Sequence, residues 1–170
     1  IQNENFEYIY KLTEVAKELD ADSLNFNWTW FTTTQTGKAY QKMMKKVFET
    51  DAYSWIPYET DVILDPEKER KYDGIKQELE KFKNNKVDIP ISMSPFVKPE
   101  QVESYYENIY DTFGHDTCHS IYVKSYILPN GDVTPCPDFP DYICGNILEE
   151  PFLDIWNGKR YRKSVSYTHL

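Results

Sequence analysis

The chain has 170 residues, 40% of them hydrophobic and 28% charged, with a formal net charge of −9 at pH 7. These values indicate a globular protein with one sizeable core, or a core and a small appendage. No apolar run approaches the roughly 20 residues of a membrane helix, and no hydrophobic signal region opens the sequence. Because nucleic-acid-binding proteins usually carry a basic patch, we expect neither a nucleic-acid nor a membrane partner.

The two ends of the sequence suggest a piece of a longer protein. The first residue is Ile1 and not an initiator Met, so we expect a processed piece whose function depends on residues outside this sequence. The last seven residues, SVSYTHL over 164–170, break the helical pattern before them. We therefore predict a frayed or foreign tail there.

The first two thirds of the sequence alternate helical and strand patterns. Apolar residues recur about one helical turn apart in four segments and alternate with polar residues in two others. An irregular aromatic connection over 51–65 separates two of the helices, and the second of these begins at Asp65-Pro66. In chain order we predict a helix over 4–19, a strand from Leu24 to Trp30, helices over 35–50 and 66–84, a strand over 87–94 and a helix from Pro99 to Ile109.

Each predicted strand has an apolar and a polar face. The apolar residues, among them Phe26, Trp28 and Trp30, are expected to pack under helices. Pro90 weakens the second strand or places it at an edge. The polar face is either the lining of a barrel lumen or cleft, near substrate or cofactor, or the outside of an edge strand. Its residues are Asn25, Asn27, Thr29, Ser92 and Ser94.

Strands that alternate with helices imply parallel βα units. Two such units cannot close a sheet or a barrel. The fold class is therefore α/β, and this region is expected to be the last third of a larger architecture. Its open sheet edges are candidates for self-association with a second copy.

The three cysteines all lie between Cys118 and Cys144. An odd number suits a disulfide framework poorly. In a reducing cytoplasm, where we expect this protein, clustered cysteines indicate a metal site, redox chemistry or plain core thiols.

The pattern changes to a β-hairpin around these cysteines. Residues 120–128 are β-branched and aromatic, and Asn130-Gly131 supplies the positive φ angles of a tight turn before Val133–Cys136. A loop over 137–146 follows, and then a helix over 151–163 that should bury Phe152, Ile155 and Trp156. The hairpin brings Cys118 and Cys136 together, either as soft ligands for zinc or an iron–sulfur cluster or as two small core thiols.

The run from Cys118 to Gly158 resembles the start of the SPASM or twitch-type auxiliary-cluster region of radical SAM enzymes. Cys118, Gly131 and Cys136 satisfy that family's spacing of Cys, Gly and Cys. The turn at Gly145-Asn146-Ile147 and the helix end at Ile155-Trp156-Asn157 also match. Upstream, the alternation of helices and strands is similar to the last βα units of the family's partial (β/α) barrel.

The resemblance implies an auxiliary [4Fe–4S] cluster with Cys118 and Cys136 as two ligands. Cys144 is a third candidate ligand, and a packing role is equally open for it. The Cys-x3-Cys-x2-Cys loop that binds the S-adenosylmethionine cluster in this family does not occur in the sequence. The resemblance therefore implies that the missing N-terminal radical SAM core is a partner, and that the isolated chain has no radical activity.

The resemblance also divides the chain and names a substrate class. It implies a barrel part over 1–114, a truncated cluster-binding region over 115–163 and the tail over 164–170. The substrate of the whole enzyme would be a peptide, a protein or a small metabolite.

A structural or interaction module is the alternative, with zinc or no metal at all. The possible nitrogen and sulfur ligands suffice for a tetrahedral zinc site, although two of them are adjacent and cannot easily bind one ion together. They are His115, Cys118, His119, Cys136 and Cys144. A nucleophilic pair of Cys118 with His115 is a further hypothesis.

Overall fold

The chain forms two compact units, each described here by itself. A computed structural model describes residues 1, 5–60, 72–114 and 116–167. The first unit comprises Ile1–Phe31 and Thr60–Phe113, and the second comprises Thr32–Glu59 and Gly114–Leu170. Residues 32–59 thus cluster with the cysteine region, although they lie within the predicted 1–114 domain. Within the described ranges, no helix has the length and apolar character needed to cross a membrane.

The secondary structure is mixed α/β, with short elements. The helices are α1 (Leu12–Glu18), α2 (Thr34–Phe48), α3 (Tyr72–Asn84), α4 (Val102–Glu107), α5 (Ser120–Val123), α6 (Phe152–Trp156) and α7 (Lys159–Val165). The strands are β1 (Leu24–Asn27), β2 (Ile91–Ser94), β3 (Tyr126–Ile127), β4 (Asp132–Thr134) and β5 (Gly145–Asn146).

The first unit is built on a parallel pair of strands. β1 and β2 run side by side, with Leu24 opposite Ile91 and Asn27 opposite Ser94. The two predicted strands are confirmed, but both are shorter than expected. Pro90 precedes β2 and still contributes, because its carbonyl accepts a hydrogen bond from the Leu24 N–H at 3.0 Å. The partial barrel itself is not shown by this two-stranded sheet.

The core of the first unit lies between this sheet and its helices. Trp28 is 2% exposed and Ile75 and Val102 are fully buried. The ring centroid of Trp28 lies 5.1 Å from that of Tyr105 and 6.1 Å from that of Tyr106. Trp30, which was also expected to pack under helices, is instead 43% exposed; it lies three residues beyond the end of β1.

The predicted helix over 4–19 is wrong as a single element. A 3-10 turn over Phe6–Tyr8 precedes the shorter α1. Phe6, Ile9 and Ala16 are buried, whereas Leu12 is 42% and Leu19 75% exposed. The spacing of apolar residues identified the helical segment, but it did not identify which of the apolar side chains are buried.

The later helices of this unit are confirmed with shifted ends. In α3, Ile75 and Leu79 form the buried face, four residues apart. The predicted start of this helix at Asp65-Pro66 lies outside the described residues. Pro99 opens a 3-10 turn that leads into α4, and α4 ends at Glu107, two residues before Ile109.

In the second unit, α2 confirms the helix predicted over 35–50. The Thr33 hydroxyl caps its first turn by accepting a hydrogen bond from the Thr36 N–H at 3.2 Å. Glu49 ends the helix in the left-handed region at φ 58°. Met44 is buried, and the helix lysines are exposed, as the pattern predicted.

The hairpin predicted after Cys118 is confirmed as part of a three-stranded antiparallel sheet in the order β3-β4-β5. Two details of the prediction are wrong. Residues 120–123 form α5 and not a strand, and Gly145–Asn146 is not a turn but the strand β5, with Gly145 opposite Val133.

The hairpin turn is also different from the two-residue form expected. Only Gly131 has a positive φ, at 88°, and Asn130 does not. The Gly131 N–H donates to the Leu128 carbonyl at 2.9 Å, and the Leu128 N–H donates to the Asp132 carbonyl at 2.8 Å. This is a three-residue loop with glycine at the left-handed position.

The helix predicted over 151–163 is divided at Asn157-Gly158 into α6 and α7. Of its expected core residues, Ile155 is buried, Trp156 is half-buried and Phe152 is 38% exposed. The predicted tail is wrong at its start, because α7 extends to Val165 and Ser164 is buried. Residues 168–170 lie outside the described part of the chain.

Replacing Gly37 with alanine should destabilise the second unit, although the same change usually stabilises an open helix by about 0.5–1 kcal/mol. An alanine Cβ at this position would lie 2.0 Å from Cε3 of the buried Trp55 ring. We expect Gly37→Ala to lower the free energy of unfolding by about 1–3 kcal/mol, measured by urea denaturation with tryptophan fluorescence. Lys38→Ala, on the exposed side, should change it by no more than about 0.5 kcal/mol. An increase in stability for Gly37→Ala would contradict this packing.

Candidate metal centre

Cys118 and Cys136 lie at the two ends of the segment that contains α5, β3 and β4. Cys118 is exposed and lies two residues before α5, and Cys136 is half-buried and lies two residues after β4. Burial raises the pKa of the Cys136 thiol, and the charges of Asp138 and Cys118 add to this rise. Cys118 is thus close enough to act electrostatically on the Cys136 thiol.

The backbone around Cys136 points two donors at its sulfur. The N–H groups of Phe139 and Asp138 hydrogen-bond to Cys136 and act to lower the pKa of its thiol, against the effect of burial. The backbone of Cys136 itself is bonded to fully buried Thr134, whose hydroxyl donates to the Cys136 carbonyl at 3.2 Å. Such N–H donors stabilise negative charge on sulfur, both in a free thiolate and in a metal-bound one.

The loop that supplies these donors is anchored by Asp141. Its Oδ1 accepts hydrogen bonds from the N–H groups of Tyr53 at 2.9 Å and Ser54 at 3.1 Å. Its Oδ2 accepts from the Tyr40 hydroxyl at 3.0 Å and from the Ser54 hydroxyl. Burial, followed by the Asp141 charge, raises the pKa of Tyr40, so this hydroxyl remains a donor.

Aromatic packing fixes the same loop at Phe139. The ring centroid of Phe139 lies 5.4 Å from that of Tyr40 and 5.7 Å from that of Tyr58. Phe139, whose N–H hydrogen-bonds to Cys136, is therefore held in place by its own ring contacts and by the hydrogen bonds of Asp141 in the same loop.

Cys144 lies in a different environment. It is 5% exposed and belongs to the hydrophobic core of the second unit, with Val133 and Tyr161 among its members. Burial raises the pKa of its thiol to about 11, with Arg160 and Ser164 acting in the opposite direction. These surroundings are those of a packed core thiol.

The described residues supply two sulfur donors and not a full set. No group of three or more His, Cys, Asp or Glu side chains in the described ranges is placed to hold a metal ion. His119 is exposed, and His115 lies outside the described residues. A [4Fe–4S] cluster usually takes four cysteine ligands, and a structural zinc ion takes four ligands. Cys118 and Cys136 would supply two of the four ligands of either site.

The predicted polar face is assembled in the first unit. Asn25 lies opposite Ser92 and Asn27 opposite Ser94, and all four residues are exposed. Thr29 lies beyond the end of β1, where its hydroxyl donates to the Ile1 carbonyl at 3.1 Å. The four strand residues therefore share a face, and Thr29 is used in a backbone contact.

Comparison with known families identifies the region of the cysteines. Residues 118–169 match the family model of SPASM, an iron–sulfur cluster-binding domain. No curated protein and no solved structure matches the chain. The matched residues contain the three cysteines, the three-stranded sheet and helices α5 to α7. This part of the chain is consistent with a SPASM-type domain, as the spacing of its cysteines predicted.

The hydrogen bonds that Asp141 accepts from Tyr40, Tyr53 and Ser54 were not predicted from the sequence. Asp141 was one of several acids in the predicted loop over 137–146, and its partner Tyr53 lies 88 residues earlier. The only local signal was a carboxylate in a loop rich in proline and aromatic residues.

Removing the Asp141 carboxylate should destabilise the second unit. In Asp141→Ala, two backbone N–H groups and the Tyr40 hydroxyl lose their acceptor, so we expect the free energy of unfolding to fall by about 2–4 kcal/mol. Glu149→Ala removes an exposed carboxylate and should change it by no more than about 0.5 kcal/mol. Equal urea-denaturation midpoints for the two variants would show that Asp141 is not an anchor.

Proposed function

We propose that this chain is part of a radical SAM enzyme, and that residues 118–169 are its auxiliary [4Fe–4S] cluster region. The observation that carries the proposal is the match of residues 118–169, which contain Cys118 and Cys136, to an iron–sulfur cluster-binding domain. SPASM domains usually occur in radical SAM enzymes.

Cys118 and Cys136 are assigned as two cluster ligands. The N–H groups of Asp138 and Phe139 would hold the Cys136 thiolate at its position, and Asp141 would keep those donors in place. We assign Cys144 to the core, since its burial leaves it no route to a shared metal. The remaining ligands would come from outside the described residues. When bound, such a cluster supplies electron transfer or a contact for substrate.

The open edge of β1 supports a larger barrel. The N–H groups of Leu24 and Trp28 donate to carbonyls of the β2 side, so the backbone groups of Asn27 face away from β2. The Asn27 carbonyl accepts a hydrogen bond from the Ile1 amine. Ile1 therefore lies where a residue of a third parallel strand would lie.

A stripe on α1 and the turn before it supports the same conclusion. Tyr8, Leu12, Val15 and Leu19 follow a 4-3-4 spacing and are 54%, 42%, 40% and 75% exposed. Apolar residues at this spacing typically pack against another helix. We propose that the radical SAM core, with its S-adenosylmethionine site, covers this stripe and the β1 edge. Pairing with a second copy is the competing arrangement.

The polar face would lie near the chemistry of the whole enzyme. We propose that Asn25, Asn27, Thr29, Ser92 and Ser94 lie close to S-adenosylmethionine or to a peptide, protein or small-metabolite substrate. Reduced cysteines agree with a cytoplasmic location, which we also propose.

Substitution of the paired cysteines should abolish metal binding. We expect the chain reconstituted without oxygen to bind iron and sulfide, and Cys118→Ser and Cys136→Ser to lower the iron content to background. Cys144→Ala is the matched control and should retain iron, because its thiol is in the core. Iron and sulfide analysis with absorption spectroscopy provides the measurement.

Three results would count against this assignment. Stoichiometric zinc in place of iron would support the structural-module alternative. Loss of iron in a folded Cys144→Ala protein would make Cys144 a ligand after all. No metal in any variant would leave no support for a cluster in this chain, either because ligands from outside it are required or because the two cysteines are ordinary core thiols.

Replacing Asn27 with leucine should lower turnover of the full enzyme while the fold remains intact. Asn27 is exposed on the polar face, so its replacement removes an amide without opening a cavity. Turnover and melting temperature would be compared with those of Asn84→Leu, the same change at the exposed end of α3. If both variants turn over like the parent enzyme, the polar face plays no part in the reaction.

A further inference from the structure

Trp28 in the core of the first unit has a buried indole N–H that forms no hydrogen bond in the described part of the chain. Its side chain is 2% exposed, and its Nε1–H finds no acceptor among the described residues. Buried N–H groups of this kind are rare in proteins, and a redox role is one of their explanations. Trp55 in the second unit has the same feature, so it offers a matched reference.

Two tyrosine rings connect Trp28 with the surface of the first unit. The ring centroid of Tyr106 lies 6.1 Å from that of Trp28 and 5.9 Å from that of Tyr72, the latter pair stacked with an interplanar angle of 22°. Tyr106 is 8% exposed, and Tyr72 is half-buried. The three rings thus form a continuous path from the core towards solvent. Rings in such contact stabilise a core, and they also couple an electron donor to an acceptor.

The outer end of this path has a base for a phenol proton. The Tyr72 hydroxyl donates to the Glu107 carboxylate at 3.1 Å, and Glu107 is exposed. A phenol that loses an electron becomes a strong acid, so it gives up its proton to a carboxylate that already accepts its hydrogen bond. Loss of an electron from Tyr72 is therefore favoured by the position of Glu107.

The two tyrosines closest to the indole donate to backbone carbonyls. The Tyr105 hydroxyl lies 3.1 Å from the Thr29 carbonyl, and the Tyr106 hydroxyl lies 3.3 Å from the Ile1 carbonyl. A carbonyl accepts a hydrogen bond but does not take up a proton near neutral pH. Burial also raises the pKa of Tyr105 to about 12. Among these three phenols, Tyr72 is the one whose bonded acceptor is a base.

We propose that Trp28, Tyr106 and Tyr72 form a one-electron relay that removes oxidising equivalents from the core of the first unit. The oxidant is a carbonate radical, which takes one electron from the indole of Trp28 and becomes a carbonate ion. The indole radical cation keeps its N–H proton, since no described residue accepts it. A cation in an apolar core is unfavourable, so an electron passes from Tyr72 across the Tyr106 ring and restores the neutral indole.

The relay ends with a neutral radical at the surface. As Tyr72 loses its electron, the phenol proton moves to the Glu107 carboxylate. A soluble reductant such as ascorbate then supplies one electron, Glu107 returns the proton, and both side chains regain their first state. The relay uses neither the cysteine pair nor an iron–sulfur cluster, so it stands independently of the proposed function.

The test maps oxidation products in the full 170-residue chain by proteolytic digestion and mass spectrometry. Pulse radiolysis of bicarbonate under nitrous oxide generates carbonate radicals, and a nitroso spin trap marks tyrosyl radicals. In the parent chain we expect a trap adduct on Tyr72 and little kynurenine product at Trp28. Trp28→Phe should remove most of the Tyr72 adduct, because the indole no longer collects the oxidising equivalent.

Two conservative variants block the outer end of the relay. Tyr72→Phe removes the phenol but keeps the packed ring, and Glu107→Gln removes the proton acceptor. Both should raise the kynurenine product at Trp28 by about tenfold, the effect of losing one charged hydrogen-bond acceptor. Glu103→Gln, an exposed carboxylate on the same helix α4, is the matched control and should have no effect. The product yield at Trp55 should be equal in all variants.

Three results would overturn the proposal. Equal yields at Trp28 in the parent, Tyr72→Phe and Glu107→Gln would reduce the three rings to ordinary core packing. An unchanged Tyr72 adduct in Trp28→Phe would mean that this phenol is oxidised directly from solution. An equal effect of Glu103→Gln would replace proton transfer by a general effect of surface charge. Circular dichroism would show that each variant is folded, and the two outer variants keep the test decisive if Trp28→Phe is not.

Discussion

The partly buried carboxylate of Asp141 is the constraint on which the candidate metal centre depends. Two backbone N–H groups and two hydroxyls converge on it from Tyr40 and from Tyr53-Ser54. Partly buried donors left without an acceptor would cost free energy, so these bonds favour a single arrangement of the loop after Cys136. That arrangement places the N–H groups of Asp138 and Phe139 at the Cys136 sulfur. The sulfur environment is thus determined largely by residues from an earlier part of the chain.

Local periodicity predicted the elements that have one clear apolar face, and it failed where tertiary contacts decide. The strands β1 and β2 and the helix α2 followed from the sequence pattern. The segment Ser120–Val123 has strand-forming residues but folds as α5. Buried Tyr161 explains why, because its hydroxyl donates to the Lys124 carbonyl at 2.7 Å and so holds the end of this turn. No local pattern encodes a contact across 37 residues.

The candidate site was predictable to the extent that it is local. The pattern of residues between Cys118 and Cys136 predicted the hairpin. The same sequence could not distinguish a ligand from a core residue at Cys144, since a cysteine suits both roles. The structure places Cys144 in the core: its N–H donates to the Val133 carbonyl at 2.8 Å, at a point of the sheet that lies in the core.

The two units lack complementary parts, although each has a well-packed core. Parallel sheets are normally covered on both faces, yet the face of β1 and β2 that carries Asn25 and Ser92 is exposed. In the second unit, Cys118 and Cys136 would supply two of the four ligands that a metal centre needs. The packing of a hydrophobic core accounts neither for the exposed face of amide and hydroxyl groups nor for the N–H groups at the Cys136 sulfur. Both features agree with the proposal that further polypeptide supplies the facing wall and the remaining ligands.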